Sequence, residues 1–363
     1  MSPAYRIEIM AENQIQLQTR DQAQSTQFPD KLMPAIDETA KMDCASAPIV
    51  KTSRIRPSKV EWPTIGLFAA VYTSWILLLI GHSHISYWLL FPVMALLVTL
   101  HSSLQHEALH GHPFRNCIAN MALAGMPIGI FIPYLRFKSL HLRHHCDENL
   151  TDPYDDPETF YRARGDWQAL SWPMQRILMI NNTLLGRLTI GPALSLFGFV
   201  RKELSIVLGA KSHAKRVLVA WGWHGLGLCL VLPVLYAADF PIWLYFAAVA
   251  YPGMSILMLR TFAEHEAAIG GQPKTAIVDA SPFFGLLFLN NNLHCVHHSF
   301  PTAPWYRLPA LYRENFLQTE QHPPYYAIKG YGSLFAKFAV RMRQQVPHPF
   351  RRLNTSTKNR SKS

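Results

Sequence analysis

Three short stretches of this 363-residue chain concentrate imidazole: His106-Glu-Ala-Leu-His110, His141-Leu-Arg-His144-His145 and His294-Cys-Val-His297-His298. On a helix, positions i, i+3 and i+4 share a face. Each stretch can therefore aim two or three ring nitrogens at a common point. Neutral imidazole suits iron, copper, zinc and nickel. Any one of these residues alone reads as an ordinary hydrogen-bonded core histidine. Eight at this spacing do not, because burying so many unpaired rings is costly.

The elements that must carry these groups are apolar. From Trp62 to His106 there is no charged residue, and from Val217 to Leu259 the only charge is Asp239. Each run is long enough for two crossings of about 20 residues. The predicted spans are 63–81 and 85–104, then 217–236 and 241–259, which makes two short-turn hairpins. A soluble protein with very apolar core helices would have to cover both runs with protein, so the integral membrane reading is preferred. Lys51, Arg54, Arg56 and Lys59 precede the first hairpin, Lys211, Lys215 and Arg216 precede the second, and neither tip carries Lys or Arg. By the positive-inside rule both termini lie in the cytosol.

The stretch 118–134 between the first two clusters is too short for two crossings plus a turn, and one crossing would split the clusters between opposite faces. It is expected to lie in the interface or to re-enter. The same length argument applies between His265 and His294. All three clusters then meet on the cytosolic side, beneath four membrane helices. The expected architecture is an all-α integral membrane protein with a cytosolic helical cap holding a His-rich dimetal site. Residues 1–60 read as a polar tail, 61–320 as the membrane domain with cytosolic segments 105–216 and 260–320, and 321–363 as a basic tail.

A net charge of +11 and a pI near 9.5 fit topology and anionic headgroups. No nucleic-acid motif accompanies the charge. The five cysteines form no CxxC pair and read as reduced thiols. The first 50 residues have no apolar stretch of the kind a secretory signal needs.

The order His-x-x-x-His, His-x-x-His-His, His-x-x-His-His around two hairpins resembles the membrane fatty acid desaturase superfamily, over roughly residues 60–320. The phrases HEALHGH, LTDPYDDPE and NNNLHCVHHSFP look most like its bacterial members, which places the chain in an inner membrane. The resemblance implies two iron ions, O₂ as co-substrate and attack on an unactivated C–H bond; spacing alone gives only several imidazole ligands. Carried over, the ligands are His106, His110, His141, His144, His145, His294, His297 and His298. His265, following the last membrane helix, is the ninth. Ligand histidines commonly donate their other N–H to a carboxylate or carbonyl. Glu107, His112, Asp147, Asp152, Glu264 and Asn291 are the candidates for that supporting role. One of the asparagines 290–292 is also expected to cap the third-box helix.

Desaturation of an acyl chain takes two electrons from the substrate and two from a donor. The sequence carries no haem, iron–sulfur or dinucleotide signature, so an external ferredoxin or cytochrome b5-like protein is implied. A hydroxylase or ketolase acting on an alkyl chain, a carotenoid or a small amphiphile would share every ligand. A His-rich metal transporter would need ionisable residues along its helices, and these spans have almost none. Ala247, Ala248, Ala250 and Gly253 could line a substrate tunnel or allow close helix packing.

Overall fold

The computed structural model describes residues 60–145, 150–210, 212–268, 272–317 and 323–349. The expected tail 1–60 falls almost wholly outside them, as do Asp147 and residues 350–363.

Four helices are long and apolar enough to cross a membrane: α1 (Trp62–Ile80), α2 (Tyr87–Leu109), α9 (Ala214–Ala237) and α10 (Ile242–Glu264). Between the hairpins lie α3 (Cys117–Ala124), α4 (Tyr134–His145), α5 (Arg164–Ala169), α6 (Trp172–Asn181), α7 (Leu184–Thr189) and α8 (Gly191–Leu208). After α10 come β1 (Ala276–Val278), α11 (Pro282–Leu287), α12 (His294–Ser299), α13 (Leu308–Asn315), β2 (Tyr326–Ile328) and α14 (Gly330–Phe338). The only sheet among the described residues is parallel β1–β2, with Ala276 opposite Tyr326. The fold is that of an all-α integral membrane protein.

The spans are as the apolar runs predict, with two extensions that matter. α2 continues past its apolar stretch to Leu109, and Gly111, at φ +100°, provides the left-handed turn that ends it. The first histidine cluster therefore rides on the last turn of a membrane helix. α10 runs on to Glu264 and delivers His265 at its C-terminus. Within α10, Pro252 has no N–H for the preceding turn, and the backbone widens there to a π turn over Phe246–Ala250.

Polar bonds and small residues fasten the bundle, because lipid offers helices little hydrophobic reason to associate. Thr99 Oγ1 donates to the Gly253 carbonyl (2.9 Å), and Trp75 Nε1 to Tyr245 Oη (2.8 Å). Tyr245 in turn donates to the Ile128 carbonyl (2.7 Å), tying the 125–133 segment to the last span. No described part of 118–134 is a helix of membrane length. Outward faces carry exposed Trp88, Trp243 and Tyr236 near the span ends, where aromatics sit at membrane–water boundaries.

The reading of everything past residue 321 as a tail differs from the structure. β2 pairs with β1, and Tyr331 and Leu334 of α14 are buried against Phe262, Phe288 and Ala263. The basic residues that suggested a tail obscured these apolar ones.

Candidate metal centre

All nine histidines carried over from the resemblance converge. Their ring nitrogens form two groups, His106, His110, His141, His145 and His297 in one, and His144, His265, His294 and His298 in the other. Helix geometry explains the division. At about 100° per residue, residue i+4 points some 40° to one side of residue i, and i+3 about 60° to the other. So each i, i+4 pair stays together (His106 with His110, His141 with His145, His294 with His298), whereas His144 and His297 cross to the opposite group.

Within the groups, Nε2 atoms approach at hydrogen-bonding distance: His106 to His141, His141 to His145 and His145 to His297 at 3.0 Å each. His265 lies 3.0 Å from His144 and 2.8 Å from His294, which is 3.0 Å from His298. The Nδ1 atoms decide what these contacts are. His141 Nδ1 donates to Glu158 Oε1 and His144 Nδ1 to Asp156 Oδ1, both at 2.8 Å, and His294 Nδ1 donates to Asn291 Oδ1 at 3.0 Å. A ring whose proton sits on Nδ1 presents a lone pair at Nε2. His141 and His294 each aim that lone pair at two further rings, and His110 Nε2 is buried with no hydrogen-bond partner among the described residues. Lone pairs gathered so closely repel unless a cation lies among them. Metal–nitrogen bonds of about 2.1 Å at right angles place neighbouring nitrogens about 3.0 Å apart. The donor set therefore fits two metal ions, one per group.

Electrostatics keeps the rings available as ligands. Burial, reinforced by neighbouring rings, holds His110, His145, His265, His294, His297 and His298 well below the ordinary histidine pKa. His144 is the exception. Burial pulls it down, but the charges of Glu158 and Asp156 and the Asp156 hydrogen bond outweigh this and leave it at about 9. Burial opposes ionisation of Glu158, yet His141 and His144 hold it well below the usual carboxylate range.

The supporting residues differ in part from expectation. Asn291 Oδ1 meets the Nδ1 of His294, a clustered ring, and α12 has no side-chain cap at Leu293. Glu264 Oε1 lies 3.3 Å from His294 Nδ1, and is held by Arg260 (2.7 Å) and Asn291 Nδ2 (3.3 Å). Glu107 instead accepts from the Trp305 backbone N–H at 3.1 Å. His112 is fully buried and donates Nδ1–H to Glu61 at 2.8 Å. Asp152 accepts from the N–H groups of Tyr154 and Asp155, building the turn. Among the described acids of this run, those that reach the rings are Asp156 and Glu158, four and six residues further on. The sequence marked that run as acidic but did not say which acids turn inward. Of the other histidines, His101 is a core residue bonded to Tyr72 Oη (3.0 Å), and His224 meets the Ile130 carbonyl (2.7 Å) rather than a neighbouring helix.

A cavity of roughly 90 Å³ lies between α2, α10 and the 125–133 segment. Val98, His101, Ser102 and Gln105 form its α2 wall, with Ala250 and Gly253 opposite; Ala247 and Ala248 do not line it. Val98, Ser102 and His106 follow one another at i, i+4 intervals, so the cavity lies one turn of α2 from the first clustered histidine. Gly253 also serves packing, since a Cβ there would come within 2.7 Å of Val98 Cγ1.

No curated protein sequence matches the chain. The fatty acid desaturase family model matches residues 61–330, a region that holds both hairpins and all nine clustered histidines. The chain belongs to the fatty acid desaturase family.

Proposed function

We propose that this protein is an O₂-dependent diiron desaturase that introduces a double bond into the acyl chain of a fatty acid or lipid. The observation that carries the reading is the division of nine clustered imidazoles into one group of five and one of four, each sized for a metal ion. His106, His110, His141, His145 and His297 would hold one iron, and His144, His265, His294 and His298 the other. Bound iron would supply the redox capacity to activate O₂ against an unactivated C–H bond. The balance is O₂, two protons, two electrons and a –CH₂–CH₂– unit giving –CH=CH– and two waters.

The chain's own residues perform the rest. Asp156, Glu158 and Asn291 fix ring orientation and keep the proton on Nδ1. The apolar surroundings exclude bulk water. The largely apolar cavity beside Val98 and Ser102 supports a hydrocarbon as substrate, because it lies between membrane helices, one turn of α2 away from His106. The two external electrons would come from a ferredoxin or cytochrome b5-like donor. The basic residues flanking both hairpins support a cytosolic position for metal site and termini, and the likeness of the box-flanking phrases to bacterial members supports an inner membrane.

The deciding experiment expresses the chain in a host of known lipid composition and measures product mass. Loss of two hydrogens from an acyl chain is expected. Gain of one oxygen would instead make the protein a hydroxylase of the same scaffold. Purified active protein holding zinc and no iron would overturn the mechanism.

A further inference from the structure

We propose that the C-terminal segment 343–348 is a strap that positions the ligands of the four-histidine group, with His348 as its anchor. This rests on the metal reading above and goes beyond it. The strap lies outside the family match, which ends at residue 330.

The segment grips two of the chain sections that serve that group. The first is the acidic loop behind His144. Arg162 N–H donates to the Val346 carbonyl (2.9 Å), and His348 N–H donates to the Arg162 carbonyl (2.8 Å), forming a short parallel bridge. His348 is buried, its Nε2 lies 3.2 Å from Thr151 Oγ1, and its ring meets Tyr161 edge-on at 5.4 Å. Thr151 N–H then donates to Asp156 Oδ2 (2.9 Å), while Asp156 Oδ1 accepts from His144. Three residues thus connect the strap to a ligand ring.

Thr151 makes this link exacting. It is β-branched yet sits at φ +77°, in the left-handed region such residues avoid. Such a conformation persists only where its surroundings over-determine it. Here each polar group is occupied: N–H by Asp156, carbonyl by Thr159 Oγ1 (2.8 Å) and hydroxyl by His348. Without the imidazole, one of those three restraints is lost.

The second section carries His265. Ala267 N–H donates to Tyr161 Oη (2.9 Å) and lies 3.3 Å from Gln344 Oε1. Arg343 pairs with Glu266 (3.2 Å) and donates to the Phe262 carbonyl. The strap therefore bears on His144 and His265, two of the four rings in one group. It reaches the five-histidine group only through Glu158 on the same loop. His348 is a positioning residue: it acts through Thr151 and Asp156 and touches no ligand.

The test compares full-length, iron-loaded protein with His348→Ala, His348→Gln and Thr151→Val. Iron per chain, the Mössbauer spectrum and the rate of iron loss to a ferrous chelator are measured in detergent. Wild type should hold two irons giving two quadrupole doublets. His348→Ala and Thr151→Val should alter one doublet and release that iron about 10-fold faster, as for other outer-sphere losses. His348→Gln, whose amide can still meet the hydroxyl, should recover most of the effect, and Val340→Ala at an exposed position should change nothing. Unchanged doublets and release rates in His348→Ala would overturn the proposal. So would equal disturbance of both irons, or collapse of both variants, since a strap acting on one loop leaves the membrane helices standing. Wild type without bound metal would sink the diiron reading itself, which separates that failure from this one.

Discussion

His145 and His298 stack face to face, with ring centroids 4.2 Å apart and planes 26° from parallel. They belong to different groups, so this stack is where the two histidine groups meet. Residues 153 positions apart in the chain become neighbours because α4 and α12 bring their histidine faces together. The second and third boxes each donate to both groups, so neither group is the property of one helix.

Replacing His144 or His297 by Ala should therefore damage different positions to the same functional end. Turnover in either variant should fall below about 1% of wild type, since even outer-sphere losses cost 10–100-fold. Iron per chain should fall while membrane insertion is unchanged. Product analysis and metal counting on membrane-extracted protein check this; full turnover in either variant would remove that residue from the ligand set.

The acidic loop offers a sharper contrast. Asp156→Ala removes the acceptor for His144 Nδ1–H, and Glu158→Ala the acceptor for His141. Each should weaken metal retention about 10–100-fold. Asp156→Asn, which keeps an acceptor oxygen, should lose less. Asp152→Ala, which loosens the turn but removes no acceptor from a ring, should lose less than Asp156→Ala or Glu158→Ala. Competition against a chelator ranks the four variants.

Gly253→Leu should act through geometry. Its side chain would enter space held by Val98 and the Ala95 carbonyl, where α2 and α10 touch. Overpacking of this kind costs about 1–3 kcal/mol. The variant should inactivate at lower temperature and accept shorter chains if it folds, as thermal inactivation and a chain-length series would show.

Acid should destabilise the metal-free protein. Six clustered histidines have pKa values depressed by burial, so the unfolded chain binds protons more readily. Their contribution is complete above the ordinary histidine pKa of about 6.5 and is lost as pH falls below it. Glu158, also depressed, adds to the loss at lower pH. His144 runs the other way: its contribution is present below about 6.5 and disappears as pH rises through about 9. Thermal midpoints of chelator-treated protein should fall steeply on the acid side and only slightly above pH 8. A flat acid limb would contradict the burial of these rings.

The apolar runs and eight of the clustered rings were legible from length and period, while His265 came from the family resemblance. Charge-free runs set the helices, and i, i+4 spacing paired the rings. The support around them was not, since it depends on tertiary turns. The six acids from Asp147 to Glu158 compete on equal terms in sequence, and among the described ones the turn at Thr151 and Asp152 carries Asp156 and Glu158 to the rings. Glu61 was hidden at the edge of the first span, although it meets His112 51 positions away. His348 was hidden among basic residues that read as a tail. A buried histidine next to two prolines was the available clue.

On the proposed reading, a hydrocarbon guest reaches His106 from the cavity beside Val98 and Ser102, between the membrane helices. Diffusing sideways through oil, it never passes through water, and the penalty of about 0.8 kcal/mol for exposing each methylene is not incurred. Aqueous solubility then drops out of the rate. What governs supply is mole fraction in the bilayer, so adding inert lipid should slow the protein as effectively as removing its reactant.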